Sequence, residues 1–153
     1  MDEILISRIS KKEDIPYHLL LLADPSEEAV KYYMERGLCY IAYLDKEIMG
    51  TYVLLPTRPF TMELINLAVD PKYQGFGYGK KLIQHSIGEA QNRGCKVLEV
   101  GTGNSSIGQL ALYQKCGFTI SYIDFNFFTK HYSEPIFENG IKCSHMIRLT
   151  IDL

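Results

Sequence analysis

Apolar residues recur along this chain with two periods, and the switches between those periods set out the order of its elements. Glu3-Ile-Leu-Ile-Ser-Arg-Ile9 predicts a first strand. Leu19-Leu-Leu-Leu-Ala23 forms the buried patch of a helix over about 11–22, and a second helix is expected over about 25–36. Asp24-Pro25 separates them, with Pro25 suited to the first turn of the second helix. Strands over about 38–44 and 47–55 make a hairpin around Asp45-Lys46. Then come a strand at about 62–69, a helix at 79–93, a strand at 96–102, a helix at 106–115 and a strand at 118–127, with a final strand at about 143–151. Residues 128–142 form a long connection in this reading, with Asn139-Gly140 predicting a tight turn just before the last strand. No internal repeat or low-complexity tract interrupts the pattern.

One of these junctions carries chemistry. Between the strand ending at Val69-Asp70-Pro71 and the helix with Leu82, Ile83, Ser86, Ile87 and Ala90 on one face lies Gln74-Gly-Phe-Gly-Tyr-Gly-Lys80. A glycine-rich turn feeding a helix N-terminus offers backbone N–H groups and the positive end of the helix dipole to phosphate oxygens. The dinucleotide fingerprint does not fit, because the third glycine is out of register. The nucleoside-triphosphate loop does not fit either: three residues separate Gly75 from Gly79, and Lys80 is followed by Lys81.

What fits is Q/R-x-x-G-x-G/A, here Gln74-x-x-Gly77-x-Gly79. This resembles the acyl-CoA-binding signature of the GCN5-related N-acetyltransferase superfamily. Upstream, Glu63-Leu-Ile-Asn-Leu-Ala-Val-Asp-Pro71 resembles that family's fourth strand and its exit; downstream, Leu110-Ala-Leu-Tyr-Gln-Lys-Cys-Gly-Phe118 resembles its A-x-Y-x-K-x-G-F ending. The likeness covers about residues 60–120 well and the rest through strand order. It implies the α/β (α+β) acyl-CoA N-acyltransferase fold: a mixed, mostly antiparallel sheet of about six to seven strands with helices on both faces. It further implies one N-acetyltransferase domain over residues 1–153, with acetyl-CoA as cosubstrate. The backbone of Leu67, Ala68 and Val69 would pair with the pantetheine arm like an added strand, on a strand carrying a bulge. Gln74, Gly75, Phe76, Gly77, Tyr78, Gly79 and Lys80 would cradle the pyrophosphate, the glycine backbone before the side chains. Asn104 is implied as a pantetheine contact, although it precedes Tyr113 by nine residues where about seven are usual in the family, and Ser106 occupies the position that counting favours.

Acetyl transfer needs a neutral amine, a stabilised oxyanion and a proton for the departing thiolate. No cysteine or serine stands beside a base in a way that suggests an acyl-enzyme. By resemblance, Glu63 is the candidate base, often acting through water, and Tyr113 the candidate acid. The alternatives are, for Glu63, a solvated strand-end carboxylate or an anchor for the substrate ammonium and, for Tyr113, an aromatic packed on Phe118. The oxyanion donor is expected to be a backbone N–H near Leu67.

Composition narrows the partners. The chain has 153 residues, 46% hydrophobic and 22% charged, enough for a core. A net charge of −2 and a pI near 6.1 give no long-range attraction to nucleic acid or an anionic membrane. No apolar run reaches a membrane span, and Met1-Asp-Glu lacks a basic leader, so a cytoplasmic protein is expected. Cys39, Cys95, Cys116 and Cys143 are dispersed, as are His18, His85, His131 and His145. That pattern points to a reducing compartment and to no metal site.

The acceptor is expected to be a small-molecule or peptide amine. Tyr17, Asp24, Glu27, Tyr32, Tyr33, His131, Tyr132 and Glu134 are the polar candidates on the segments that wall the cleft in such a fold. Phe125-Asn-Phe-Phe128 and the last strand are candidate surfaces for a homodimer. The alternative function is a non-catalytic acyl-CoA sensor, which would keep the glycine turn and dispense with Glu63 and Tyr113; a general adenine-nucleotide domain is a third.

Overall fold

The computed structural model describes residues 3–153. Its seven-stranded sheet runs β1 (Ile4–Arg8), β2 (Leu38–Leu44), β3 (Glu47–Arg58), β4 (Thr61–Val69), β5 (Val97–Gly103), β9 (Met146–Asp152), β6 (Thr119–Asp124) in spatial order. Only β4 and β5 run parallel; all other neighbours are antiparallel. Helices α1 (Tyr17–Ala23) and α2 (Glu27–Met34) cover one face, while α3 (Tyr78–Asn92) and α4 (Ile107–Lys115) contribute to the hydrophobic cluster on the other.

The β2–β3 hairpin turns at Asp45-Lys46, both with positive φ (49° and 72°), the geometry that matches the twist of the strands it joins. On its α3 face, Tyr40 and Tyr52 stack at 4.6 Å with planes 7° apart. Their hydroxyls reach α3: Tyr52 to His85 Nδ1 at 2.7 Å, and Tyr40 donating to Glu89 Oε2 at 2.9 Å. Burial of Leu82, Ile83 and Ala90 adds the apolar part of that seam. These contacts set where the N-terminus of α3 sits relative to the strands.

Several boundaries differ from the periodic pattern. The first predicted helix divides into a short 3₁₀ turn, Lys12–Asp14, and α1, because Ile15 precedes Pro16 and is held extended (ψ 121°). Pro25 lies outside α2: Ser26 is the N-cap, its Oγ accepting from Ala29 N at 3.1 Å, with Glu27 and Glu28 in the first turn. The connection 128–142 is not structureless. Asn126, with φ 60°, turns the chain out of β6 into a short helix α5 (Phe127–His131). A two-stranded hairpin follows, β7 (Phe137–Glu138) with β8 (Ile141–Lys142), and Asn139-Gly140 forms its turn rather than the entry to β9.

Among the described residues no helix is long and apolar enough to cross a membrane, and no group of three or more metal-binding side chains occurs.

Candidate active site

The parallel ladder between β4 and β5 is short. It runs from Thr61–Val97 to Leu64–Val100 and stops. At that point β4 gains an extra residue: Val53 pairs with Asn66 and Leu54 with Leu64, so Ile65 is bulged out. Beyond the bulge β4 stays paired with β3 through Val69, but its other edge faces a cleft instead of β5. The cleft encloses about 750 Å³ and is lined by Leu67, Ala68 and Val69 on one side and Gly101, Thr102 and Gly103 on the other. Gly101 and Gly103 hold β9 and the segment before it close, since a Cβ at Gly101 would run into Met146 and one at Gly103 into Cys143.

The glycine turn closes one end. Gly75 and Gly77 have φ of 87° and 83°, conformations that L side chains adopt only under strain. Gly77 is the N-cap of the fifteen-residue α3, with no side chain bonded to the helix end and no acid in the first turn. The first amides of α3 are therefore open to an anion from the cleft. Gln74, Gly75, Gly77, Tyr78, Gly79 and Lys80 line this end. The Gln74 amide donates to Val69 O at 2.9 Å, tying the turn to the end of β4. Phe76 points away, 69% exposed.

Tyr113 also lines the cleft, 5% exposed and edge-on to Phe118 at 5.7 Å. Burial, with a smaller push from Cys116, raises its phenol above the ordinary range, so it carries its proton throughout neutral pH. Glu63 stands apart from the cleft lining. Its carboxylate accepts from Arg148 Nη1 at 3.0 Å, with both side chains largely buried. Burial raises the Glu63 carboxyl above the usual carboxylate range; Arg148 opposes this, and Glu99, its register partner on β5, adds to it.

Asn104 is not turned to the cleft. Its Oδ1 accepts from Ser144 N (2.8 Å) and His145 N (2.9 Å), and its Nδ2 donates to Lys142 O, so its amide anchors the chain before β9. The N-cap of α4 is Ser106, which does line the cleft and donates to Glu138 Oε1 at 2.8 Å.

Of the polar residues expected on the acceptor walls, the fold brings three together. Tyr33 and Tyr132 both donate to the Asp24 carboxylate, and Asp24 and Tyr132 line the cleft. Tyr32 is 81% exposed, Glu27 pairs with Lys31 on the outside of α2, His131 packs on Phe127, and Glu134 lines a separate hollow. Two participants went unread in the sequence. Asn66 is a buried amide within an apolar strand, a polar interruption that marked it in principle. Arg148 has no local signal, because its partner Glu63 is 85 residues away.

Comparison with known proteins agrees with this geometry. The sequence pattern of the acetyltransferase (GNAT) family matches residues 9–118. A Bacillus subtilis protein named as the uncharacterized N-acetyltransferase YvbK is 52% identical over 153 residues, 100% of this chain and 99% of that one. A solved structure described as an IAA acetyltransferase from Bacillus cereus superposes with a TM-score of 0.95 at 56% identity, covering 99% of this chain and 100% of that one. Another, a GNAT family acetyltransferase from Elizabethkingia anophelis with acetyl-CoA bound, superposes with a TM-score of 0.97 at 49% identity over the full length of both chains. A β4 edge freed by a bulge, an open helix N-terminus behind a glycine turn and a matching sequence from Ile9 to Phe118 lead to one conclusion: the chain belongs to the acetyltransferase (GNAT) family.

Proposed function

We propose that this protein transfers an acetyl group from acetyl-CoA to a primary amine, by direct attack within a ternary complex. The observation that carries the reading is the cleft itself, in which the free edge of β4 meets the uncapped N-terminus of α3. The pyrophosphate binds the amides at Gly77–Lys80, and the amide-rich pantetheine arm lies along Leu67–Val69, with Ser106 on the opposite wall. The relative from Elizabethkingia anophelis with acetyl-CoA bound supports this choice of donor.

The amine nitrogen attacks the thioester carbonyl carbon, and the resulting oxyanion is held by a backbone N–H of the free β4 edge near Leu67. The C–S bond then breaks, and the thiolate takes the proton of Tyr113. The proton lost by the amine goes to Glu63 through solvent, because the Glu63 side chain does not itself line the cleft. Burial of its carboxyl favours the base role, since a weakly basic carboxylate would not hold that proton.

The test is thiol release from acetyl-CoA across an amine panel, beside binding of acetyl-CoA, CoA and ATP. Amine-dependent thiol release supports the transferase; tight acetyl-CoA binding without release supports the sensor; ATP binding equal to that of CoA contradicts both. The last strand, β9, is paired on both sides and offers no edge; the exposed apolar residues of edge strand β6, among them Ile120, Tyr122 and Ile123, support a homodimer instead. Four unpaired cysteines fit a reducing cytoplasm.

A further inference from the structure

Asn66 is 3% exposed, and only half of its side-chain amide is used. Its Nδ2 donates to Leu20 O at 3.0 Å and to Tyr33 Oη at 2.8 Å. The Leu20 carbonyl can only accept, so the nitrogen must point that way and the oxygen the other. That oxygen has no partner among the described residues. A buried amide oxygen without a donor is costly, and native proteins keep few of them. Asn66 lines the cleft two residues beyond Leu64, where the β4–β5 ladder ends and the strands part. A ligand N–H in the mouth of that split would satisfy it.

A second observation lies on the same wall. Asp24 Oδ1 accepts from Tyr132 Oη at 2.8 Å and from Ser26 N at 3.2 Å, and Oδ2 accepts from Tyr33 Oη at 3.3 Å. Burial and the charge of Asp24 hold both phenols protonated as donors. Among the described residues no lysine or arginine pairs with Asp24. The charged side chains lining the cleft are Asp24, Lys80 and Glu138, and the single cation among them belongs to the glycine-turn end. Away from that end no side-chain cation lines the cleft.

Building on the transferase reading above, we propose that Asp24, held by Tyr33 and Tyr132, and the free Oδ1 of Asn66 together form the acceptor site. This site selects cationic primary amines that carry no carboxylate beside the amine. Asp24 draws the ammonium form into the cleft; once one proton has passed through solvent to Glu63, the neutral amine donates an N–H to Asn66 Oδ1 and keeps its nitrogen lone pair free to face the thioester. An α-amino acid would bring its carboxylate against Asp24 and an unsatisfied acceptor with no cation to answer it, an arrangement that rejects it by repulsion.

The experiment uses matched pairs: agmatine against arginine, lysine amide against lysine, tyramine against tyrosine. Thiol release is followed at saturating acetyl-CoA, and the KM for acetyl-CoA is measured in parallel. The carboxylate-free member of each pair is expected to have a kcat/KM higher by about tenfold or more. Asp24→Asn keeps the shape and one acceptor oxygen for Tyr132 while removing the charge; the Tyr33 hydroxyl then faces the amide nitrogen and accepts from it instead of donating. The substitution is expected to raise the amine KM about tenfold, to narrow the preference within pairs and to leave the KM for acetyl-CoA unchanged. Equal turnover of both members in the unaltered protein, or an unchanged amine KM in Asp24→Asn, would overturn the assignment. Thiol release from no amine at all would overturn the transferase reading, and the acceptor site with it.

Discussion

Arg148 Nη1 lies 3.0 Å from Glu63 Oε2, and the two residues sit on strands separated by β5. The state of Glu63 is thus set by a side chain that reaches across the neighbouring strand. Burial and Glu99 favour the neutral acid, and Arg148 favours the carboxylate. As a base, Glu63 must be ionised, so turnover falls as pH drops through its raised pKa. Replacing Arg148 with Met removes the one lowering influence and should shift the acidic limb of the kcat/KM profile to higher pH. A limb left in place would exclude Glu63 as the titrating group. A carboxyl raised above its unfolded value of about 4.3 contributes fully below that value and loses its contribution as pH rises through the folded pKa. Arg148→Met should therefore be more destabilising at pH 8 than at pH 4, as read by urea unfolding.

Glu63→Gln tests the residue itself. It should lower kcat with little change in acetyl-CoA affinity and remove the acidic limb. An unaltered rate would take Glu63 out of the mechanism.

Tyr113 is held against Phe118 by packing that a phenylalanine would preserve. Tyr113→Phe should keep the thermal midpoint and lower kcat about a hundredfold, the low end for a general acid. A variant with normal turnover but reduced stability would assign Tyr113 to the core alone.

Gly77 combines a φ of 83° with open space, for a Cβ there meets nothing within 4 Å. Alanine at this position pays only the left-handed strain, about 1–2 kcal/mol, within the protein. The same methyl group would stand where the pyrophosphate is proposed to approach the helix end. Gly77→Ala should raise the KM for acetyl-CoA about tenfold and leave the amine KM near its original value. Equal changes in both would point to general distortion of the cleft.

Edge strand β6 exposes Ile120 (48%), Tyr122 (54%) and Ile123 (41%). If two copies associate there, the double substitution Ile120→Lys and Tyr122→Lys should convert a dimer to a monomer in sedimentation velocity. A parent protein that already sediments as a monomer would remove the dimer reading.

Much of this was legible in the sequence wherever a local rule decides the structure. Asp45-Lys46 formed the predicted hairpin turn, and Gly75 and Gly77 adopted left-handed conformations where a phosphate-binding turn was expected. The rule failed where several local choices competed. Pro16 outweighed the helical periodicity before it, and Asn139-Gly140 made a hairpin turn, but between two strands too short to show any alternation. In the candidate site the glycine turn could be read from spacing, and Tyr113 from the resemblance of Leu110–Phe118 to the family's ending. The true partners of Asn104, the pairing of Glu63 with Arg148 and the meeting of Asp24 with Tyr132 across 108 residues are products of topology. No periodicity encodes such contacts.

The position of β9 between β5 and β6 has a consequence for how the molecule assembles. β6 precedes β9 in the chain, yet among the described residues its only ladder is with β9. It has no sheet to join until residues 146–152 have inserted beside β5. The same insertion delivers Arg148 to Glu63. Closure of this long-range pairing is entropically expensive, which makes it a candidate for the slow step of folding. A chain that has formed its sheet only from β1 to β5 would hold the glycine turn in place while Glu63 still lacked its counter-charge, so, with Glu63 in the proposed role of base, ligand-binding competence would precede catalytic competence during folding.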